Sequence, residues 1–328
     1  YIFLILKTLL FELKNNTSFS SNFSFKKSIK ILYNALKLRD ALMRFLLNSD
    51  INENEVVLYS YWFYHWSLTI SLVKQLNKNI KAVSRAHLGD LYLKFEDSPS
   101  FSAFKLKTLD KIVVISKHGK KYFEKTFPGL SKNIVHEYLG VPFIGLNPIK
   151  NENKFTIVSC SSIRPEKCVD KIAHVIKLLK QPVRWIHFGD GTEMEIVKKE
   201  VEVFPDNIEV KLMGFVKNKD VLDFYLSNPV DLFINLSYLE GVPVSLMEAI
   251  SFGIQILGTN IYGTPEITNK ITGGLVEVNA DNLEISNEIS RLLSSPKNQE
   301  NIFKFWNKNF NSENNYPNFV KKYLLGNN

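Results

Sequence analysis

The chain has 328 residues, 45% hydrophobic and 23% charged, a globular balance that excludes a disordered chain, a collagen-like repeat and a coiled coil. At roughly 150 residues per domain it has room for two. Its 41 Lys and Arg against 33 Asp and Glu give +8 and favour anionic partners, but the lysines are scattered without the arginine-aromatic stripe of a nucleic-acid module, so nucleic acid is not expected.

Tyr1 to Phe11 is apolar but carries Lys7. It falls short of the roughly 20 apolar residues a bilayer span requires, and no small-residue cleavage site follows a basic start. Ile31, Leu32, Ala35, Leu36, Leu38, Leu42, Phe45 and Leu46 have helical spacing. From Val56 onward short β-branched or aromatic runs alternate with amphipathic ones, the sign of βαβ units and a parallel sheet. Val56–Ser60, Ile80–Arg85, Lys111–Ser116 and Asn133–Tyr138 read as strands, and Trp66–Leu76, Phe101–Lys107 and Gly119–Phe127 as helices. This half reads as a Rossmann-like domain whose first strand is missing. The polar Gly145–Lys154 stretch reads as the linker. A second series follows, with strands at Phe155–Cys160, Val183–Phe188, Ile208–Leu212, Leu232–Leu236, Ile254–Gly258 and Gly274–Val278. Between the first two, Val169, Ile172, Val175, Ile176 and Leu179 form one helical stripe suited to a sheet. The tail, Asn282–Leu293 and Ile302–Leu325, reads as helices broken at Pro296 and Pro317. The expected organisation is an acceptor-side domain at 1–146, a ligand-binding domain at 147–300 and returning helices at 301–328. Doubly wound sheets bind ligands at the carboxyl ends of their strands, so two that face each other frame a cleft.

The densest polar constellation, Glu240-Gly-Val-Pro-Val-Ser-Leu-Met-Glu248, follows the Leu232–Leu236 strand. Pro243 suits the first turn of a helix, and the N–H groups of Val244, Ser245 and Leu246 then point at an anion such as a diphosphate. Gly241 and Val242 bring backbone close to a ligand. Glu240 before the helix and Glu248 inside it can hold hydroxyl-rich groups, although spacing alone equally allows Glu248 to face solvent. After the Phe155–Cys160 strand, Ser161-Ser-Ile-Arg-Pro-Glu-Lys167 places the Arg164 fork and the Lys167 point charge at the same edge. Phe188-Gly-Asp-Gly191 keeps Gly189 and Gly191 but has Met194 where a dinucleotide fingerprint needs glycine, so the fingerprint fails and the run reads as a tight strand-to-helix turn with room to pass close to a nucleotide base. Ser84-Arg-Ala-His87-Leu-Gly-Asp90 puts His87 and Asp90 after a strand of the first domain. The aromatic run Tyr59–Trp66 reads as packing, with sugar stacking as the other use. Six scattered histidines give no zinc spacing, and Cys160 and Cys168 fit two reduced thiols in a reducing compartment.

These motifs resemble glycosyltransferase family 4, the retaining GT-B enzymes of polysaccharide and glycolipid synthesis. The resemblance runs from about Asn54 onward and rests on Glu240 with Glu248, Arg164 with Lys167, the Gly189-Asp-Gly191 turn, Gly214-Phe-Val216, Tyr262-Gly-Thr-Pro-Glu266, and His87 with Gly89 and Asp90. It implies two Rossmann-like domains facing a cleft and a nucleotide-sugar donor held mainly by the second. Arg164 and Lys167 would contact diphosphate, Glu240 and the backbone at Gly241–Val244 sugar hydroxyls or phosphate, Glu248 the ribose, and His87 the donor sugar. It implies no metal or other cofactor and a glycan or lipid-linked acceptor. Trp306, Phe310, Tyr316 and Phe319 resemble helices that cross back to the first domain. The departures are the family's opening strand and glycine-rich loop, not found before Val56, Gln255 where proline is common, and Tyr262 where glycine is. They leave a second expectation: a catalytically impaired nucleotide-sugar-binding subunit that needs a partner or the missing segment. The basic surplus and amphipathic start fit a cytoplasmic protein resting on the anionic inner face of a membrane.

Overall fold

The computed structural model describes residues 1–15, 24–92, 101–149 and 154–326. Residues 150–153 of the expected linker lie outside the described residues. The chain divides into two compact units, Tyr1–Tyr138 with Tyr316–Asn328, and Leu139–Asn315. Each is a parallel α/β unit.

The first unit comprises α1 (Ile2–Asn15), α2 (Phe25–Leu47), β1 (Val57–Ser60), α3 (His65–Leu76), β2 (Lys81–Ala86), the short α4 (Leu88–Leu91), α5 (Ser102–Thr108), β3 (Lys111–Val114), α6 (Lys117–Thr126) and β4 (Ile134–His136). Its four strands are parallel in the order β1-β2-β3-β4. Among the described residues before Val57 there are two α-helices, a 3-10 turn at Glu53–Glu55 and no strand. Leu9 of α1 and Leu32 and Leu36 of α2 meet Leu68 and Leu72 of α3 and Phe104 of α5 in one buried cluster. Glu12, fully buried, fastens this layer: its Oε1 and Oε2 accept from the N–H groups of Ala103 and Phe104 at 3.0 and 2.9 Å. Those are donors the start of α5 cannot satisfy internally.

The second unit comprises β5 (Phe155–Cys160), α7 (Val169–Ile176), β6 (Val183–Phe188), α8 (Met194–Val201), β7 (Ile208–Leu212), α9 (Asn218–Ser227), β8 (Leu232–Asn235), α10 (Val244–Ser251), β9 (Ile256–Thr259), β10 (Gly273–Val276), α11 (Asn282–Ser294) and α12 (Gln299–Asn309). All six strands are parallel in the order β10-β9-β8-β5-β6-β7. Counted from β5 this is the dinucleotide-fold order 3-2-1-4-5-6, whose two halves diverge at the β5/β8 pair. Residues Leu232–Asn235 are all buried, as a strand covered by helices on both faces must be. The α7 stripe is buried as its periodicity requires, although the helix stops at Ile176 and Leu179 packs from the turn beyond.

The boundaries differ from expectation at both ends of the second unit. It begins at Leu139 rather than 147 and keeps α12, because Val141 N–H donates to the Phe310 carbonyl at 2.9 Å and Phe143 packs on Trp306 at 6.0 Å. The return to the first unit begins at Tyr316 instead of 301, in α13 (Ser312–Phe319). Pro317 does not break that helix. It lies inside α13, and the chain runs on into a π-helical turn, Val320–Leu325, whose wider hydrogen-bond pattern tolerates irregular pairing. No helix among the described residues is long and apolar enough to cross a membrane.

Candidate active site

The topology sets the location. β5 and β8 pair side by side, so the loop leaving the carboxyl end of each runs along the crevice between them. The loops are joined by the Tyr238 N–H, which donates to the Glu166 carbonyl at 3.1 Å. Lys167 Nζ donates to Glu240 Oε1 at 2.6 Å, and their side chains are only 23% and 12% exposed. Asn235 Nδ2, at the end of β8, donates to the same Oε1 at 3.2 Å. Both bonds fall on one oxygen, which leaves Oε2 of Glu240 and the remaining donors of Lys167 available to a ligand. Arg164 is exposed in the same loop and forms no ion pair with a described residue.

α10 starts behind Glu240. Pro243 is its N-cap and not, as expected, its first helical residue, because its ψ of 126° is extended. The first intrahelical bond is Met247 N–H to the Pro243 carbonyl at 3.1 Å, so the N–H groups of Val244, Ser245 and Leu246 have no acceptor within the helix. Together with the macrodipole they favour an anion. Val242 and Pro243 are buried, so these residues offer backbone rather than side chain. Glu248, half-buried, accepts from Asn218 Nδ2 at 2.9 Å; burial raises its pKa and the Asn218 bond opposes that rise. Gly241 is pressed from behind: a Cβ on Gly263 would lie 2.3 Å from its carbonyl oxygen. Tyr262, at the position where the resemblance has glycine, holds a left-handed φ of 45°. That conformation disfavours a side chain by about 1–2 kcal/mol, which is a physical reason for glycine there.

The Gly189-Asp-Gly191 turn serves the same loop. Gly189 has φ of 143°, and a Cβ there would meet the Ser161 carbonyl oxygen at 1.8 Å; one on Gly191 would meet that of Ile163 at 2.2 Å. Ser161 N–H donates to Phe188 and Ile163 N–H to Asp190. The two glycines therefore let the turn lie directly against residues 161–163 and fix where the Arg164–Lys167 segment begins. Beneath it Trp185 Nε1 donates to Ser159 Oγ at 2.9 Å, and that hydroxyl pairs with His187 Nδ1 at 2.8 Å. Cys160, expected as one of two reduced thiols, is free, and burial pushes its pKa up to about 12.

In the first unit His87 is the N-cap of α4 and only 7% exposed, its ring 4.2 Å from that of Trp62 and 4.7 Å from that of Tyr61. Neither ring nitrogen has a hydrogen-bond partner. Burial, aided by the Arg85 charge, pulls its pKa down to about 4, so it is neutral at pH 7. Asp90 departs from its expected role as a ligand contact. It is fully buried, and its two oxygens accept from the backbone N–H groups of His87 and Phe63, each at 2.5 Å, so it binds two loops of its own unit together. Burial raises its pKa to about 6 against those bonds and the nearby Lys105.

Residues 147–305 match the family described as glycosyl transferases group 1. That segment is a group 1 glycosyl transferase domain. Among the curated relatives of this chain, one component of human phosphatidylinositol N-acetylglucosaminyltransferase is 27% identical over 124 residues, 37% of this chain and 25% of that protein. The UDP-N-acetylglucosamine--peptide N-acetylglucosaminyltransferase GtfA subunit of Streptococcus agalactiae is 24% identical over 192 residues, 56% of this chain and 35% of the other. The matched region thus spans about a quarter to a third of these relatives. Among solved structures, the lipopolysaccharide outer core galactosyltransferase WaaB in its apo form superposes with a TM-score of 0.70 at 14% identity, covering 90% of this chain and 80% of that one. The fold is GT-B.

The second unit therefore brings Lys167 and Glu240 into contact and sets Arg164, Gly189 and Gly191 in one loop assembly with them. Glu248 pairs separately with Asn218. Two residues escaped sequence reasoning. Asn235 carried a usable signal, as the last residue of a strand entering the site loop; Asn218, at the start of α9, carried none. Among the described residues no three His, Cys, Asp or Glu side chains come together to hold a metal.

Proposed function

We propose that this chain is a retaining glycosyltransferase that moves a sugar from a nucleotide-sugar donor to a glycan or lipid-linked acceptor. The observation that carries the reading is the Lys167–Glu240 pair at the β5/β8 crevice, beside unsatisfied N–H groups at the start of α10. When the bond between the sugar and the diphosphate breaks, its electron pair goes to the phosphate oxygen. Charge growing there is stabilised by fixed donors that need no rearrangement: Lys167, Arg164 and the N–H groups of Val244, Ser245 and Leu246. Glu240 Oε2 accepts from a sugar hydroxyl while Oε1 holds Lys167 in place. Glu248 accepts from the ribose hydroxyls.

Both curated relatives are N-acetylglucosaminyltransferases by name, so UDP-N-acetylglucosamine is the first donor to test, against GDP- and ADP-sugars. A donor that binds the folded chain raises its melting temperature, and the anomeric configuration of the product, read by proton NMR, tests retention. No donor-dependent shift with any nucleotide-sugar would overturn the reading. Both relatives are also named as subunits, which supports a second reading in which this chain transfers sugar only when assembled with a partner; purification from its native cells with and without a co-eluting chain separates the two. The reading places the protein in the cytoplasm, peripherally on an anionic membrane face, supported by exposed Phe3, Leu6 and Leu10 on α1 interspersed with lysines.

A further inference from the structure

A cavity of about 440 Å³ opens in the first unit between α1, α3 and α5. Its apolar floor is Phe11 and Phe104, and four lysines line it: Lys7, Lys74, Lys78 and Lys107. Among the described residues no carboxylate lines it. Lys74 is already committed, its Nζ lying 2.8 Å from Asp110 Oδ1 and donating to the carbonyls of Lys78 and Ile80. Lys7, Lys78 and Lys107 are exposed and form no ion pair with a described residue. Lys107 Nζ stands 4.4 Å from the centre of the Phe11 ring, which holds a cation over the floor.

The size suits a small-molecule ligand, about 300–1,000 Å³ being usual. A free inorganic anion would leave the phenylalanine floor unused, and a neutral hydrocarbon would leave three cations uncompensated. The outward side of α1, one wall of the cavity, exposes Ile2 and Phe3 at 78% and 79%. A surface of that kind lies comfortably at a lipid interface. We propose that this cavity binds one hydrocarbon chain of a phosphate-bearing amphiphile, with the chain on Phe11 and Phe104 and the phosphate on Lys7, Lys78 and Lys107. Two sources share that chemistry, a membrane phospholipid and a lipid phosphate that carries an acceptor.

The full chain is titrated calorimetrically with lysophosphatidic acid below its aggregation concentration, with a monoacylglycerol of equal chain length, and with inorganic phosphate. Lysophosphatidic acid is expected to bind at least tenfold more tightly than either comparator. The double variant Lys78→Gln/Lys107→Gln is expected to weaken it about thirtyfold, since each basic residue near an anionic lipid contributes a several-fold factor. Gln75 also lines the cavity and is exposed, so Gln75→Trp obstructs it without disturbing the core and is expected to abolish binding. Sedimentation with phosphatidylglycerol and phosphatidylcholine vesicles separates the sources. Loss of phosphatidylglycerol-vesicle binding in Gln75→Trp assigns the site to membrane phospholipid; vesicle binding kept while lysophosphatidic acid binding is lost assigns it to a carrier lipid. Phosphate binding as tightly as the lysolipid, or full lysolipid affinity in Gln75→Trp, overturns the proposal. No donor is present in any arm, so either failure leaves the transfer reading untouched.

Discussion

Replacing Lys167 with Met keeps most of the side-chain length and removes the charge, and this change tests the central assignment most directly. Two effects follow and can be separated. The first is on folding: the pair is 2.6 Å long with side chains 23% and 12% exposed, between the surface regime of about 0.2–1 kcal/mol and the buried regime of about 3–5 kcal/mol for removing one partner. A loss of about 1–2 kcal/mol is expected, with part of it recovered in Lys167→Met/Glu240→Gln because Glu240 is then no longer an unpaired carboxylate. The second effect is on transfer. If Lys167 stabilises charge on the departing diphosphate, its removal costs about 100- to 1,000-fold in kcat, the cost of losing one preorganised donor from a site of developing charge. The double variant should recover stability but not kcat. Urea unfolding gives the first quantity and single-turnover transfer under saturating donor the second. A folded Lys167→Met protein that transfers sugar within tenfold of the parent would refute the assignment, whatever the stability data show.

Gly189→Ala should destabilise the second unit by several kcal/mol and lower donor affinity, because its Cβ would need the space of the Ser161 carbonyl oxygen 1.8 Å away and its φ of 143° is strained for any side chain; urea midpoints and donor titration read the two effects. Glu12→Ala should cost about 1–3 kcal/mol by leaving the Ala103 and Phe104 N–H groups unpaired in the interior, measurable as a lower thermal midpoint. Because His87 has a folded pKa near 4 against 6.5 unfolded, the unfolded chain binds its proton first. Its contribution to stability is therefore complete above pH 6.5 and lost as pH falls toward 4. Relative to His87→Gln the parent should lose up to about 1.4 kcal/mol per pH unit across that window, and parallel stability curves for the two proteins would contradict it.

Three strands of the second unit were legible to the residue. Phe155–Cys160, Val183–Phe188 and Ile208–Leu212 have the ends their apolar runs suggest. Errors gathered where capping decides the boundary. Ser116 reads as the end of a strand, yet its Oγ accepts from Gly119 N–H at 2.9 Å and starts α6 at Lys117. Ile254 reads as the start of a strand, but its N–H still donates to the Ala249 carbonyl in the turn that ends α10, so β9 begins at Ile256. A hydrophobic run does not show which residue surrenders its backbone N–H to a cap.

The site follows the same division. Spacing placed Lys167 and Glu240 each just past the carboxyl end of a strand, but 73 positions separate them, and only the order β9-β8-β5-β6 makes those two strands neighbours. A sequence carries strand ends locally and strand order globally. Asp90 shows the opposite failure: a carboxylate three residues after a histidine looks like a ligand, while its real partners are two backbone N–H groups, one of them 27 positions away at Phe63. With Asp90 taken up in holding the loops together, His87 is held where it is by backbone, and its Nδ1 lies 4.0 Å from Asp90 Oδ2, too far for a hydrogen bond. A histidine kept neutral in that way can accept or donate a single hydrogen bond to a sugar hydroxyl but cannot serve as a cation for phosphate. Under the proposed mechanism the positive charge for the leaving group comes from Arg164 and Lys167, and exchanging His87 for Lys should not restore transfer to a Lys167→Met protein.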